Sequence, residues 1–289
     1  MDRFAWVVIG TAIVLIVGAI GLEITERTVF PVWEPNYFDS PPARPGNYGF
    51  SETRVTLGET INEEKYGYTA FVPEEADRPL PLFIWVMGSN VRDYYQQSLH
   101  ETLSSWGYLV IVPETPPFSF TDPDYHRVIL EIASRAMEEV RRGRLGPEVD
   151  ESKIAAGGYS VGASLAAFLA ARRPEIDALV YWAPSIAPYW LGVKGKKLYS
   201  RVEKPALYVV GELDEAAPPG GGYTKRMQEM MPVSPAETVV IEGGNHLYFQ
   251  QPTGADKFAV AARITRYEQQ KRAINATRRW LDRKLQFRR

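Results

Sequence analysis

Between Gly157 and Ser164 the chain reads GGYSVGAS, and Gly158-Tyr159-Ser160-Val161-Gly162 within it fits the pattern G-x-S-x-G. A serine hydroxyl becomes a useful nucleophile only when a base lies beside it and its backbone carries it clear of its neighbours. The pattern addresses the second condition. The apolar run KIAAGGY reads as a strand and ASLAAFLAARR as a helix, and the flanking glycines let the two backbones approach through a sharp turn. The helix start also presents N–H groups and the positive end of the helix dipole to a developing oxyanion, with Val161 first in line. A serine that merely caps a helix has the same composition, and a chance match arises about one time in ten at this length and composition. Ser160 therefore acquires meaning only through its partners.

A general base is the first partner required. The chain has three histidines; His100 and His126 fall in helix-period segments that suit surface or packing roles, whereas His246 follows the strand-like run ETVVIE in IEGGNHLYF. A loop there is where a base can reach a serine presented from the middle of a sheet. The second partner is a carboxylate to orient the imidazole and stabilise the imidazolium. Asp214, in YVVGELDEAAPP, is the choice because it leaves a short turn after its strand, with Glu212 and Glu215 as neighbouring substitutes. The third requirement is a second oxyanion donor. It is expected from VMGSNVRDYY, where Gly88 lets a turn form and the N–H of Ser89 or Asn90 points inward.

These residues need elements to hold them. YGYTAFV, PLFIWVM, YLVIV, KIAAGGY, DALVYWA, ALYVVG and ETVVIE are strand candidates, several apolar throughout, as expected for strands covered on both faces. Helical spacing marks 93–105, 123–142, 161–172, 223–230 and 264–285; Ile264, Tyr267, Ile274, Leu281 and Leu285 form the face of the last that should pack on the sheet. The alternation predicts an α/β protein with a doubly wound, mostly parallel sheet, in which ligands bind beyond the carboxyl ends of the strands. Ser160, Asp214 and His246 each follow a strand, and their chain order is that of α/β-hydrolase triads.

The ends of the chain carry different signals. Residues 4–22 run nineteen positions without a charge, enough for about 28 Å of helix, close to the hydrocarbon thickness of a bilayer. The segment is expected to be a single membrane anchor; a cleaved signal peptide is the competing reading, although its apolar core would be about 7–15 residues. The short leading tail favours an extracytoplasmic domain. The expected division is 1–22 tail and anchor, 23–50 linker, and 51–289 α/β domain. Five prolines in 28–50 and the aromatics Phe30, Trp33, Tyr37 and Phe38 mark an extended linker. The formal charge of -2 conceals a basic C-terminus, with ten Lys+Arg against two Asp+Glu in residues 263–289. Those charges read as a solvated helix face or as a patch for the inner leaflet. The absence of cysteine excludes disulfides, thiolate metal sites and a cysteine nucleophile.

The chain resembles a bacterial branch of the α/β-hydrolase superfamily related to dienelactone hydrolase and often membrane-anchored. The similarity covers about residues 80–285 and is carried by MGSNVRDYY, GYLVIVPETP, GGYSVGASLAAFLA, IEGGNHLYF and ITRYEQQKRAINATRRWLD. It implies Ser160 as nucleophile, His246 as base, Asp214 as acid and Gly88 and Ser89 as the oxyanion loop. Met87, where proline is usual, and Ala163, where a second glycine is usual, depart from the pattern and bear on pocket size. The expectation is a serine hydrolase of a small carboxylic ester, lactone or thioester, without cofactor, metal or nucleic acid. A membrane-tethered binding or scaffold protein on the same fold is the alternative. Phe118, Phe120, Tyr125, Tyr189 and Trp190 are candidate pocket walls.

Overall fold

Strands β1 (Phe50–Thr56), β2 (Gly67–Pro73), β3 (Leu80–Val86), β4 (Leu109–Pro113), β5 (Val149–Tyr159), β6 (Ala178–Trp182), β7 (Ala206–Gly211) and β8 (Ala236–Ile241) join in one sheet. Their order is β1-β2-β4-β3-β5-β6-β7-β8. From β4 to β8 every pairing is parallel, whereas β2 runs antiparallel to both β1 and β4. The computed structural model describes residues 43–58, 64–76, 78–89, 93–116, 122–186, 193–231, 234–252 and 260–287. Contacts divide the chain into 1–33 and 34–289, and all described residues lie in the second unit. No helix among them is long and apolar enough to cross a membrane; the expected anchor, residues 4–22, lies outside them.

The helices are α1 (Gln97–Ser105, entered through a 3-10 turn at Asp93–Gln96), α2 (Pro123–Arg141), α3 (Val161–Arg172), α4 (Val193–Tyr199), α5 (Gly222–Met230) and α6 (Arg266–Lys284). They cover both faces of the sheet because side chains alternate along each strand. Leu82, Ile84 and Val86 of β3 join a core with residues of α2, α3, α4 and α5. Phe83 and Trp85, with Met87 after them, join the opposite core with Leu99 and Leu103 of α1 and Ile274, Trp280 and Leu281 of α6. Helix α3, VGASLAAFLAAR, is buried from Val161 to Ala170. Its alanines lie flat where larger residues would hold it off the sheet. Helix α6 starts at a Thr265 cap whose hydroxyl accepts from Glu268 N at 3.0 Å, and ends with Arg283 and Lys284 near its carbonyls.

Several boundaries differ from expectation. Residues 93–96 are a 3-10 turn ahead of α1, and α6 begins at Arg266. Strand β1 and helix α4 carry no clear periodicity. In β1 only Val55 is buried, so antiparallel pairing with β2, from Phe50↔Pro73 to Thr56↔Gly67, decides its state. The last part of the expected linker, residues 43–49, is without regular secondary structure and packs on the domain. Ala43 is buried, Gly46 N donates to Ser105 Oγ at 2.8 Å and Tyr48 N to Ser105 O at 3.0 Å, so residues 43–49 lie against the end of α1. A Cβ on Gly46 would come 2.0 Å from Ser105 O, which explains a glycine there.

Candidate active site

Strand β5 delivers Ser160 between β3 and β6. Its backbone adopts φ 53° and ψ −123°, a region that costs a non-glycine residue on the order of 1–3 kcal/mol. Neighbours hold it there. Ser160 N donates to Trp182 O at 2.9 Å, and Ser160 O accepts from Ala163 N at 3.1 Å and Ser185 N at 2.9 Å. The turn also needs its glycines: a Cβ on Gly158 would lie 2.3 Å from Gly162 C, and one on Gly162 would lie 2.1 Å from Val86 O. Strand, turn, helix and the end of β3 thus meet without side chains between them. The Ser160 hydroxyl makes no cap bond to α3.

That hydroxyl faces His246. Ser160 Oγ lies 3.2 Å from Nε2, and Nδ1 of the same ring lies 2.8 Å from Asp214 Oδ2. The Asp214 side chain is fully buried, whereas that of His246 is 23% exposed. Asp214 Oδ1 accepts from Ala216 N at 2.9 Å and Ala217 N at 2.8 Å, so the turn after β7 holds the carboxylate in one orientation. A carboxylate only accepts, so the proton shared with it resides on Nδ1, and Nε2 is left as an acceptor toward Ser160. This arrangement can withdraw the serine proton while an imidazolium is stabilised from behind.

The other two acids at that turn are placed differently. Glu212 is exposed and its Oε2 accepts from Gly243 N at 2.8 Å, while Glu215 is exposed. Glu212 therefore joins the β7 turn to the β8 turn, as does the bond from Leu213 N to Gly244 O at 2.8 Å. These ties carry the Asp214 and His246 loops as one piece. Sequence reasoning had no signal for Tyr159, which occupies a variable position of the motif. Its phenol donates to His246 O at 3.0 Å, and its ring centroid lies 5.3 Å from that of the imidazole.

Val161 is the first residue of α3, where helical geometry leaves an N–H without an intrahelical acceptor. Gly88 lies against Tyr159, for a Cβ there would come 2.9 Å from the Tyr159 ring and 3.2 Å from its carbonyl oxygen. Ser89 follows, half-buried. The oxyanion loop of the sequence reading thus abuts the residue that precedes Ser160. Tyr125, a candidate pocket wall, has no exposed surface. It is buried in the α2 core, where its phenol donates to Gly88 O at 3.4 Å and burial pushes its pKa well above the ordinary value. Asn90, Phe118, Phe120, Tyr189 and Trp190 lie outside the described residues. Met87 and Ala163, the two departures, are both buried in the cores.

Cavities of about 640 Å³, beside Lys196, Lys225 and Arg226, and about 430 Å³, between β8 and α6, include none of these site residues. Segments 90–92 and 187–192, which continue from the site's neighbours Ser89 and Ile186, are outside the described residues. Among family models, that of the dienelactone hydrolase family matches residues 86–281. No curated protein matches the chain.

Proposed function

Because the chain belongs to the dienelactone hydrolase family of α/β-hydrolases, we propose that it is a serine hydrolase cleaving a small carboxylic ester, lactone or thioester through an acyl-enzyme. One observation carries the reading: Ser160 Oγ is 3.2 Å from His246 Nε2, and His246 Nδ1 is 2.8 Å from the buried Asp214 carboxylate. Ser160 Oγ attacks the substrate carbonyl carbon as His246 Nε2 takes the hydroxyl proton. Asp214 holds the imidazolium that results. The oxyanion receives N–H bonds from Val161 and Ser89, each worth on the order of 3 kcal/mol. Collapse breaks the bond to the alcohol or thiol, which leaves with the proton from His246. Water then attacks the acyl-enzyme carbonyl as His246 takes its proton, and collapse breaks the bond to Ser160 Oγ, which receives that proton from His246 as the carboxylic acid leaves.

Labelling of the intact protein with a fluorophosphonate probe tests this reading. Ser160 should carry the phosphonate, and Ser160→Ala should lose both labelling and turnover of short activated esters while keeping its melting temperature. An unlabelled wild type, beside a labelled control hydrolase, would refute the proposal and leave the binding or scaffold alternative. We further propose that residues 4–22 anchor the chain in a membrane with the α/β domain on the extracytoplasmic side. The uncharged run supports the anchor. Release of the full chain by alkaline carbonate would overturn the anchor, and protection of the domain from external protease in intact cells would overturn its side.

A further inference from the structure

Strand β8 ends at Ile241, five residues before His246, and among the described strands it pairs only with β7. Asp214 and the ties from the β7 turn hold one side of the His246 loop, and the other side faces α6. Gln269, in the first turn of α6, is completely buried. Its Oε1 accepts from Asn245 N at 3.0 Å and its Nε2 donates to Asn245 O at 2.7 Å. The side-chain amide thus pairs with the main chain just before His246 as a neighbouring strand would. Gly244 makes room for it, since a Cβ there would lie 2.8 Å from Gln269 Oε1.

The Asn245 side chain extends the clamp. Its Oδ1 accepts from Tyr248 N at 2.9 Å and its Nδ2 donates to Val260 O at 2.7 Å. On the next peptide, His246 O accepts from the Tyr159 phenol at 3.0 Å. Asn245 N and O and His246 O are therefore all bonded, two of them to one side chain of α6. Only a group with one donor and one acceptor end satisfies both polar groups of Asn245 at once. A carboxylate would put two acceptors there and leave Asn245 O facing a negative charge.

We propose that Gln269 is a positioning residue for His246, so that the seating of α6 sets the Ser160–His246–Asp214 geometry. This rests on the hydrolase reading above for its kinetic consequence but not for its geometric one. Neutral glutamic acid would reproduce both hydrogen bonds, its O–H donating to Asn245 O and its C=O accepting from Asn245 N. Burial disfavours ionisation of such a group and raises its pKa. Gln269→Glu should therefore function while protonated and fail as rising pH ionises it. The wild type loses rate only in the opposite direction, as His246 is protonated. The variant's pH profile becomes bell-shaped.

The test compares full-length wild type, Gln269→Met, Gln269→Glu and Ile132→Val, the last a remote core change in α2 that controls for lost stability. Turnover of an activated ester across pH is one readout. The downfield NMR resonance of the His246 Nδ1 proton in ¹⁵N-histidine-labelled protein is the other, and only three histidines contribute to it. Gln269→Met should lose about 100-fold in kcat, the scale expected for an ångström of misplacement, with KM nearly unchanged and the resonance broadened or lost. Ile132→Val should leave both. Wild-type kcat and resonance in Gln269→Met, whatever its melting temperature, would overturn the proposal. So would an unchanged pH profile in Gln269→Glu, which decides the matter if Gln269→Met does not fold. Wild type with the resonance but no turnover would sink the hydrolase reading alone, and the resonance would still report on Gln269.

Discussion

Replacing Asp214 with asparagine changes a single atom, yet the surroundings of that atom dictate a large loss. In the wild type Oδ1 accepts two backbone N–H bonds and Oδ2 faces His246 Nδ1. Asparagine can keep both backbone bonds only by placing its carbonyl oxygen in the Oδ1 position, which turns its amino group toward His246. The ring must then accept at Nδ1 and carry its proton on Nε2, where it can no longer take the proton of Ser160. The opposite flip restores the productive tautomer but sets an amino group against two N–H donors, that of Ala217 buried and that of Ala216 part-buried. One buried and one part-buried orphaned donor cost about 2–4 kcal/mol together, so the productive form is depleted by about 30-fold to 10³-fold. Loss of the negative charge behind the imidazolium adds to that deficit. The assay is kcat/KM for p-nitrophenyl acetate near neutral pH, with thermal melting alongside. The expected outcome is a loss of at least about 30-fold, chiefly in kcat, in a protein that melts close to wild type. More than about a tenth of wild-type kcat/KM would refute Asp214 as the group that sets the tautomer.

Further predictions concern the scaffold. Gly162→Ala forces a Cβ to 2.1 Å from Val86 O, an overlap with backbone that no rotamer relieves, so the domain should lose about 1–3 kcal/mol or more. Denaturant unfolding measures this, and a neutral result would mean that the contact between α3 and the end of β3 is wrong. Glu237 on β8 accepts a hydrogen bond from Lys284 and, with Arg283 also beside it, its carboxyl is held below the ordinary range. Because the folded pKa is the lower one, this stabilisation is complete above the unfolded value and disappears as pH falls through the folded value. Half-exposed partners limit it to about 0.5–1 kcal/mol. Glu237→Gln should therefore melt slightly lower than wild type at pH 7 and equally at strongly acid pH; a gap that widens on acidification would contradict the sign.

The serine turn was legible because its requirements are local. G-x-S-x-G places glycines where Cβ atoms would collide, and the apolar runs on either side declare a buried strand and a buried helix within a few residues. Alternating runs likewise announced a mostly parallel sheet, and the order of the strands that end in Ser160, Asp214 and His246 offered one plan for bringing them together. Strand β1 was not legible, since six of its seven residues are not buried and only pairing with β2 makes it a strand. Residues 43–49 read as linker because the contacts that dock them belong to Ser105, far along the chain.

What the sequence by itself determined is therefore the serine turn and the kind of sheet that presents it, both encoded in short-range sterics and hydrophobic periodicity, together with the candidate partners Asp214 and His246. The sequence favoured Asp214 by its distance from the strand but left Glu212 and Glu215 as substitutes, and the tertiary structure places only Asp214 against the imidazole, with Glu212 turned to Gly243 N and Glu215 exposed. Three acids in one turn share the same composition and differ only in which way the turn after β7 faces. It also decided that Gln269, 24 residues beyond Asn245, closes on the main chain beside His246. A polar residue on a helix looks solvent-facing in sequence until the fold buries it against a backbone that requires one donor and one acceptor.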